Sequence, residues 1–295
     1  MNPECEFLQL PPHEIRAPAE QRIPFVFDSP HSGRCYPPRF LAASRLDDHA
    51  IRRSEDCYVD ELFGGAVVLG APMLLAHFPR AYLDVNREPY ELDPRMFIEP
   101  LPPYANAQSA RVAGGLGTVP RLVGEGQDIY PGKLPLADAL ARIETLYKPY
   151  HTVLSRLIAD TQRRFGYCVL IDCHSMPAGI RLGEGIGRPD FIVGDRFGMS
   201  CSSALSEVAI ELLRDMGYAV AHNKPYAGGF ITEHYGRPAK GFHALQIEVN
   251  RGLYLNERTF EKHSGFNRLR QDIDMFLADL SSLPDYHFGL PLAAE

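Results

Sequence analysis

Along the chain, short apolar runs bounded by turn residues alternate with longer amphipathic stretches. The runs predict strands at residues 23–27, 66–69, 73–77, 81–85, 167–173, 190–193, 218–222 and 243–249. Residues 135–165 repeat Leu136, Leu140, Ile143, Leu146, Tyr147, Tyr150, Val153, Leu154, Leu157 and Ile158 at helical spacing. That stretch predicts a helix, which Pro149 should bend or split. Residues 200–216 predict a second helix, closed by Gly217, and residues 256–280 a third, opened by an asparagine cap. Residues 46–63 read as helical at both ends. Strands alternating with helices argue for an α/β sandwich around a central, mostly parallel sheet. The adjacent short strands at 66–85 add an antiparallel part, so the expected sheet is mixed. Residues 88–132, rich in Pro, Gly and Tyr, carry little periodicity. They predict an irregular excursion close to the active site. No linker divides the chain, so residues 1–295 are read as a single domain.

Composition narrows the partners. A 295-residue chain with 45% hydrophobic residues can bury a sizeable core. Its formal charge of −7 argues against nucleic acid or an anionic membrane as the main partner. No run approaches the ~18–20 apolar residues of a membrane span. The opening "MNPECEFLQLPPHEIRAP" lacks the basic-then-apolar layout of a secretion signal, so a cytoplasmic location is expected. The six cysteines show no CxxC spacing. They read as reduced, buried thiols and leave no cysteine zinc site.

Two histidines close strands in similar settings: His31 in "PFVFDSPHSG" and His174 in "CVLIDCHSMP". In open α/β sheets, sites gather beyond the carboxyl ends of strands. Asp28 precedes His31 by three residues, and Asp172 precedes His174 by two. On a strand Asp172 and His174 share a side, where a carboxylate can orient a metal-bound imidazole. Either histidine alone is more simply a turn residue; the matched pair favours a metal site. A hydrolytic zinc site needs three protein ligands and one open position. The segment "RRSEDCYVDELF" offers the missing carboxylate, with Glu55 and Asp56 left as alternatives by the residues themselves. Four acids on a solvated helix face are the plainer account of that segment. In "HALQIEVNRGLY", Gln246, Glu248 and Asn250 share one side of a strand whose other side is His243, Leu245, Ile247 and Val249. A glutamate on a buried strand is costly unless paired or used, and a general base is one such use. Arg80, Asn86, Arg87 and Arg251 lie near strand ends and suit a carboxylate ligand; ion pairing with Asp84, Glu88 or Glu91 is the alternative. Gly228 and Gly229 let the backbone approach a ligand or make a turn. No GxxxxGK[ST] phosphate loop is present. His77, His222, His234 and His243 read as core or pocket lining.

Taken together, "FDSPHSGRCYP", "SEDCYVDELF", "PRAYLDVNREPYELDP", "VLIDCHSMP" and "GGFITEHYG…HALQIEVNRGLY" resemble the N-formylglutamate amidohydrolases, from about residue 23 to about residue 280. The resemblance implies hydrolysis of N-formyl-L-glutamate to formate and L-glutamate, the closing step of one route of histidine degradation. It also implies kinship with zinc carboxypeptidases and aspartoacylase-type deacylases. The fold it implies is a three-layer α/β/α sandwich with a central mixed, mostly parallel sheet. In that wider group a glutamate follows the first histidine ligand by three residues; here Arg34 stands there. The family's own motif carries an aspartate at the position of Asp56. The resemblance therefore implies Zn²⁺ on His31, Asp56 and His174, with Glu248 as base and Arg80 at the oxyanion. Asn86, Arg87 and Arg251, with Gly228 and Gly229, then meet a small dicarboxylate substrate. Two alternatives are a zinc deacylase for another N-acyl amino acid, such as N-formylaspartate, and a non-catalytic carboxylate-binding relative.

Overall fold

The structure, a computed structural model, describes residues 11–181 and 187–283. Cys5 and the first part of the N-terminal segment lie outside the described residues. The strands are β1 (His13–Arg16), β2 (Phe25–Ser29), β3 (Met73–Ala76), β4 (Leu122–Val123), β5 (Gln127–Asp128), β6 (Cys168–Met176), β7 (Phe191–Gly194), β8 (Val220–His222), β9 (Phe242–Asn250), β10 (Leu255–Asn256) and β11 (Glu261–Lys262). The helices are α1 (Pro38–Ala43), α2 (Val59–Leu62), α3 (Gly65–Leu69), α4 (Ala110–Ala113), α5 (Leu136–Arg142), α6 (Lys148–Phe165), α7 (Ser203–Asp215), α8 (Phe230–Tyr235) and α9 (Gly265–Ser281).

A seven-stranded mixed sheet in the order β1-β3-β2-β6-β9-β7-β8 is flanked by helices, an α/β/α sandwich as expected. The β2–β6, β6–β9 and β7–β8 ladders are parallel. One antiparallel ladder, β7–β9, makes the sheet mixed. All nine residues of β6 are buried, as a strand covered on both faces requires.

By contact the chain forms two compact units. One is built from the chain up to Glu14, Pro30–Asp56 and Leu75–Leu154; the other from Ile15–Ser29, Cys57–Leu74 and the chain from Ser155 on. The second unit holds most of the sheet. Within it α7 packs on β7, β8 and α9, and α9 also packs on α2 and α3. Helix α8 lies against β9 and β6. Ser202 caps α7 by accepting from the Leu205 N–H. Gly217 closes that turn at φ +91, as the glycine there predicts.

The first unit holds the irregular stretch from 88 to 132. Asp93 pins it by pairing with Arg95 at 2.7 Å and with Arg121 at 3.2 Å. Helices α5 and α6 run on through a π-helical turn, Ile143–Tyr147. That turn stands immediately before Pro149, so the chain absorbs the proline without splitting.

Three expectations are corrected. Residues 66–69 belong to α3, because an apolar run of four has no period that separates strand from helix. Residues 81–85 form no strand. The Tyr82 and Leu83 N–H groups donate to Pro79 O in a turn, and Asp84 N–H donates to Thr118 O. The third helix begins at Gly265 rather than at Asn256, which instead organises a turn by accepting from Arg258 N–H. Strand β1 escaped the sequence reading because "HEIR" has one apolar residue in four. Among the described residues, no helix is long and apolar enough to cross a membrane. Cys35, Cys57, Cys168, Cys173 and Cys201 are buried thiols outside any disulfide. Burial pushes the thiols of Cys168, Cys173 and Cys201 up, which leaves them unreactive.

Candidate functional site

Strand β2 ends at Ser29, and the Pro30-His31-Ser32-Gly33 turn lies against residues 77 and 78. A Cβ on Gly33 would stand 2.1 Å from Phe78 O, so only glycine fits this approach. Cys35 N–H donates to His77 O at 2.9 Å and fastens the turn. His31 is thereby buried, 1% exposed. Its Nε2 lies 2.7 Å from Asp84 Oδ1. An ionised carboxylate only accepts, so Nε2 carries a proton, and Nδ1 is the nitrogen left to act as a ligand atom. Nδ1 stands 3.4 Å from Asp56 Oδ2, and Asp56 N–H donates to His31 O at 3.0 Å.

The same unit separates Glu55 from Asp56. Tyr36 donates its hydroxyl to Glu55 Oε1 at 2.6 Å, and Arg52 reaches both Glu55 oxygens at 3.0–3.2 Å. Glu55 is thus committed to a structural pair, while Asp56 faces His31.

Asp84 is a hub. Its Oδ1 accepts from Asn86 N–H at 2.8 Å besides meeting His31. Its Oδ2 accepts from Arg80 Nε at 3.0 Å and lies 3.4 Å from an Arg87 Nη2. Burial opposes the charge on Asp84. Arg87, His31 and Arg80 outweigh it and hold the carboxyl well below the usual carboxylate range. Arg87 is itself buried, with Nε on Leu116 O at 2.8 Å and Nη1 on Asn86 O at 2.7 Å. Burial, reinforced by Arg80 and Arg111, outweighs Asp84 and Glu91 and brings the Arg87 guanidinium down to about 10.

In the second unit, β6 and β9 are parallel neighbours whose register pairs Asp172 with Gln246 and His174 with Glu248. Strand alternation puts all four on one face. His174 Nε2 lies 2.7 Å from Asp172 Oδ1, the carboxylate–imidazole contact that their spacing predicts. Gln246 Nε2 donates to Glu248 Oε1 at 2.8 Å, and Gly229 N–H donates to Gln246 Oε1 at 2.8 Å. Arg251 is buried and donates from Nε to Ser175 Oγ at 3.0 Å. On the opposite face of β9, His243 Nδ1 accepts from Ser202 N–H at 3.1 Å, a structural role at the start of α7.

His31, Asp56 and His174 are all buried, and each offers one ligand atom within 4.8 Å of the others; the group could hold a metal ion. The donor chemistry fits. Two donors on a tetrahedral ion with bonds of ~2.1 Å stand about 3.4 Å apart, which is the separation of His31 Nδ1 and Asp56 Oδ2, 3.4 Å. Asp84 is the residue that sequence reasoning missed as the partner of His31, for which Asp28 was the candidate. Asp84 lies 53 residues from His31 and reads locally as an arginine partner.

This fold, with its buried imidazole–carboxylate–imidazole group, is that of an amidohydrolase, a hydrolase of linear amide bonds. The sequence profile of the N-formylglutamate amidohydrolase family matches residues 23–255. The chain belongs to that family. The N-formylglutamate deformylase of Pseudomonas aeruginosa is 29% identical over 241 residues, covering 80% of this chain and 84% of its own. That of Pseudomonas putida is 30% identical over 243 residues, covering 80% and 83%. A crystal structure of N-formylglutamate amidohydrolase from Ralstonia eutropha JMP134 has a TM-score of 0.87 and 33% identity, and covers 92% of this chain and 98% of that one. A gene product of Agrobacterium tumefaciens shares the fold, with a TM-score of 0.64 at 15% identity over 93% and 96% of the two chains.

Proposed function

We propose that this protein hydrolyses the formamide bond of N-formyl-L-glutamate to formate and L-glutamate, with one divalent metal on His31, Asp56 and His174. The observation that carries the reading is the buried His31–Asp56–His174 group in a chain of this family. The names of the Pseudomonas and Ralstonia relatives support the substrate. The reaction would close a route of histidine degradation in the cytoplasm.

His31, Asp56 and His174 would hold Zn²⁺, which suits two imidazoles and a carboxylate and would supply Lewis acidity and a lowered pKa of water there. Glu248 takes the proton of the attacking water and passes it to the glutamate nitrogen as the C–N bond breaks. Arg80 offsets the negative charge that gathers on the carbonyl oxygen. Asn86, Arg87 and Arg251, with the Gly228–Gly229 backbone, receive the two carboxylates of the substrate. Arg87 acts there through its positive field and the second hydrogens of Nη1 and Nη2, since Nε, Nη1 and Nη2 already face Leu116, Asn86 and Asp84.

The test measures release of the free amino acid from N-formyl-L-glutamate, N-formyl-L-aspartate and N-acetyl-L-glutamate, with and without a chelator. N-formyl-L-glutamate should turn over fastest, chelation should abolish the rate, and added Zn²⁺ should restore it. Metal content should fall in His174→Ala. Full activity in metal-free protein overturns the metal, and preference for another of the three overturns the substrate.

A further inference from the structure

Gln246 stands two residues before Glu248 on β9, on the same face, in register with Asp172. It is 5% exposed, and a buried amide is costly unless its hydrogen bonds are made. Gly229 N–H can only donate, so the carbonyl end of the Gln246 amide must face it. The NH₂ end then faces Glu248 Oε1. The backbone donor alone settles which way the amide points.

Gly229 is itself anchored. It directly precedes α8, and its carbonyl accepts from Thr232 Oγ1 at 3.0 Å. Gly228 beside it has φ +123, and a Cβ there would fall 2.4 Å from Thr232 Oγ1. A glycine turn, an amide and a carboxylate therefore form one connected line.

We infer that Gln246 is a positioning residue that sets the plane of the Glu248 carboxylate. The inference rests on the reading of Glu248 as the general base. The terminal torsion of a glutamate is otherwise broad and nearly two-fold, so an unheld carboxylate spends much of its time turned away from the transfer geometry. Fixing that torsion acts on the chemical step and not on substrate capture, because orientation of reacting groups enters kcat.

Three variants of the intact enzyme test this on N-formyl-L-glutamate. Gln246→Met keeps the size of the side chain and removes both hydrogen bonds. Gln246→Glu, assayed at alkaline pH where both carboxyls are ionised, keeps an acceptor for Gly229 N–H and presents no donor to Glu248. Glu248→Gln removes the base. Glu248→Gln should lose at least about 100-fold in kcat. Gln246→Met and Gln246→Glu should each lose about 10-fold or more in kcat, with KM within about twofold and metal content unchanged. Wild-type kcat in both Gln246 variants beside an inactive Glu248→Gln overturns the positioning role alone. Recovery of wild-type kcat in Gln246→Glu, with Gln246→Met impaired, overturns it too, since the amide would then serve only to tether the glycine turn. An active Glu248→Gln overturns the base itself, and the positioning role with it.

Discussion

Replacing Asp84 by asparagine tests the hub beneath His31, because the substitution changes charge without changing size. Asp84 accepts on both oxygens: His31 and Asn86 N–H on Oδ1, Arg80 and Arg87 on Oδ2. An amide can offer its oxygen to one side only. With the oxygen toward His31 and Asn86, the NH₂ group confronts two guanidinium groups. Turned over, it confronts the Asn86 N–H and forces the His31 proton from Nε2 to Nδ1, the nitrogen beside Asp56. Either way one side is lost. Arg80, with a side chain 25% exposed, can be rehydrated, whereas Arg87 at 9% cannot. The cost is therefore that of stranding one buried charge, about 3–5 kcal/mol. At roughly 2–4 °C per kcal/mol for a chain of this length, Tm should fall by about 10 °C. Metal affinity should fall by about 10–100-fold, as when a partner that orients a ligand is removed.

The pH dependence follows with a definite sign. Asp84 titrates well below its ordinary 3.8 in the folded protein. Its stabilisation is complete above the unfolded value and is lost as pH falls through the folded one. The gap in Tm between wild type and Asp84→Asn should hold from neutral pH down to about 5, then narrow below about 4. Thermal melts across that range, with competition against a chromogenic chelator at neutral pH, measure both effects. A variant within 1 kcal/mol of wild type, with unchanged metal affinity, would refute the argument.

Three further substitutions bear on the same centre. Asp56→Asn should weaken metal binding by more than about 10-fold, while Glu55→Gln should retain a full equivalent of metal and lose only about 1 kcal/mol, because Arg52 is half-solvated; the reverse order in a metal titration would exchange their roles. Gly33→Ala should cost about 1–3 kcal/mol and release metal, since its Cβ meets main-chain atoms that cannot give way. A wild-type melt and wild-type metal content for that variant would show that the turn has room.

The two histidines of the candidate site were legible because each closes an apolar run, and the spacing of Asp172 and His174 already placed them on one face. The carboxylate was not legible from the residues alone, and only the family motif pointed to Asp56. Glu55 and Asp56 are adjacent acids, and what separates them is a tyrosine hydroxyl from residue 36 that no local pattern reveals. The central strands β6 and β9 were readable from length and apolarity. Residues 81–85 have the same apolar look, yet they form a turn, because Pro79 O captures their N–H groups before a ladder can. Gln246 was visible only as a neighbour of Glu248. Its use depends on a glycine that the fold brings back beside it from 17 residues away.

His174 and Glu248 ride on β6 and β9, and each of those strands is flanked by a strand on both sides. To release either residue, two ladders must part at once. Amide hydrogens around residues 173–175 and 247–249 should therefore exchange only when the whole sheet opens. On heating, this half of the candidate site then has no private route to decay: the lifetime of the His174–Glu248 pairing and that of the folded sheet become one quantity.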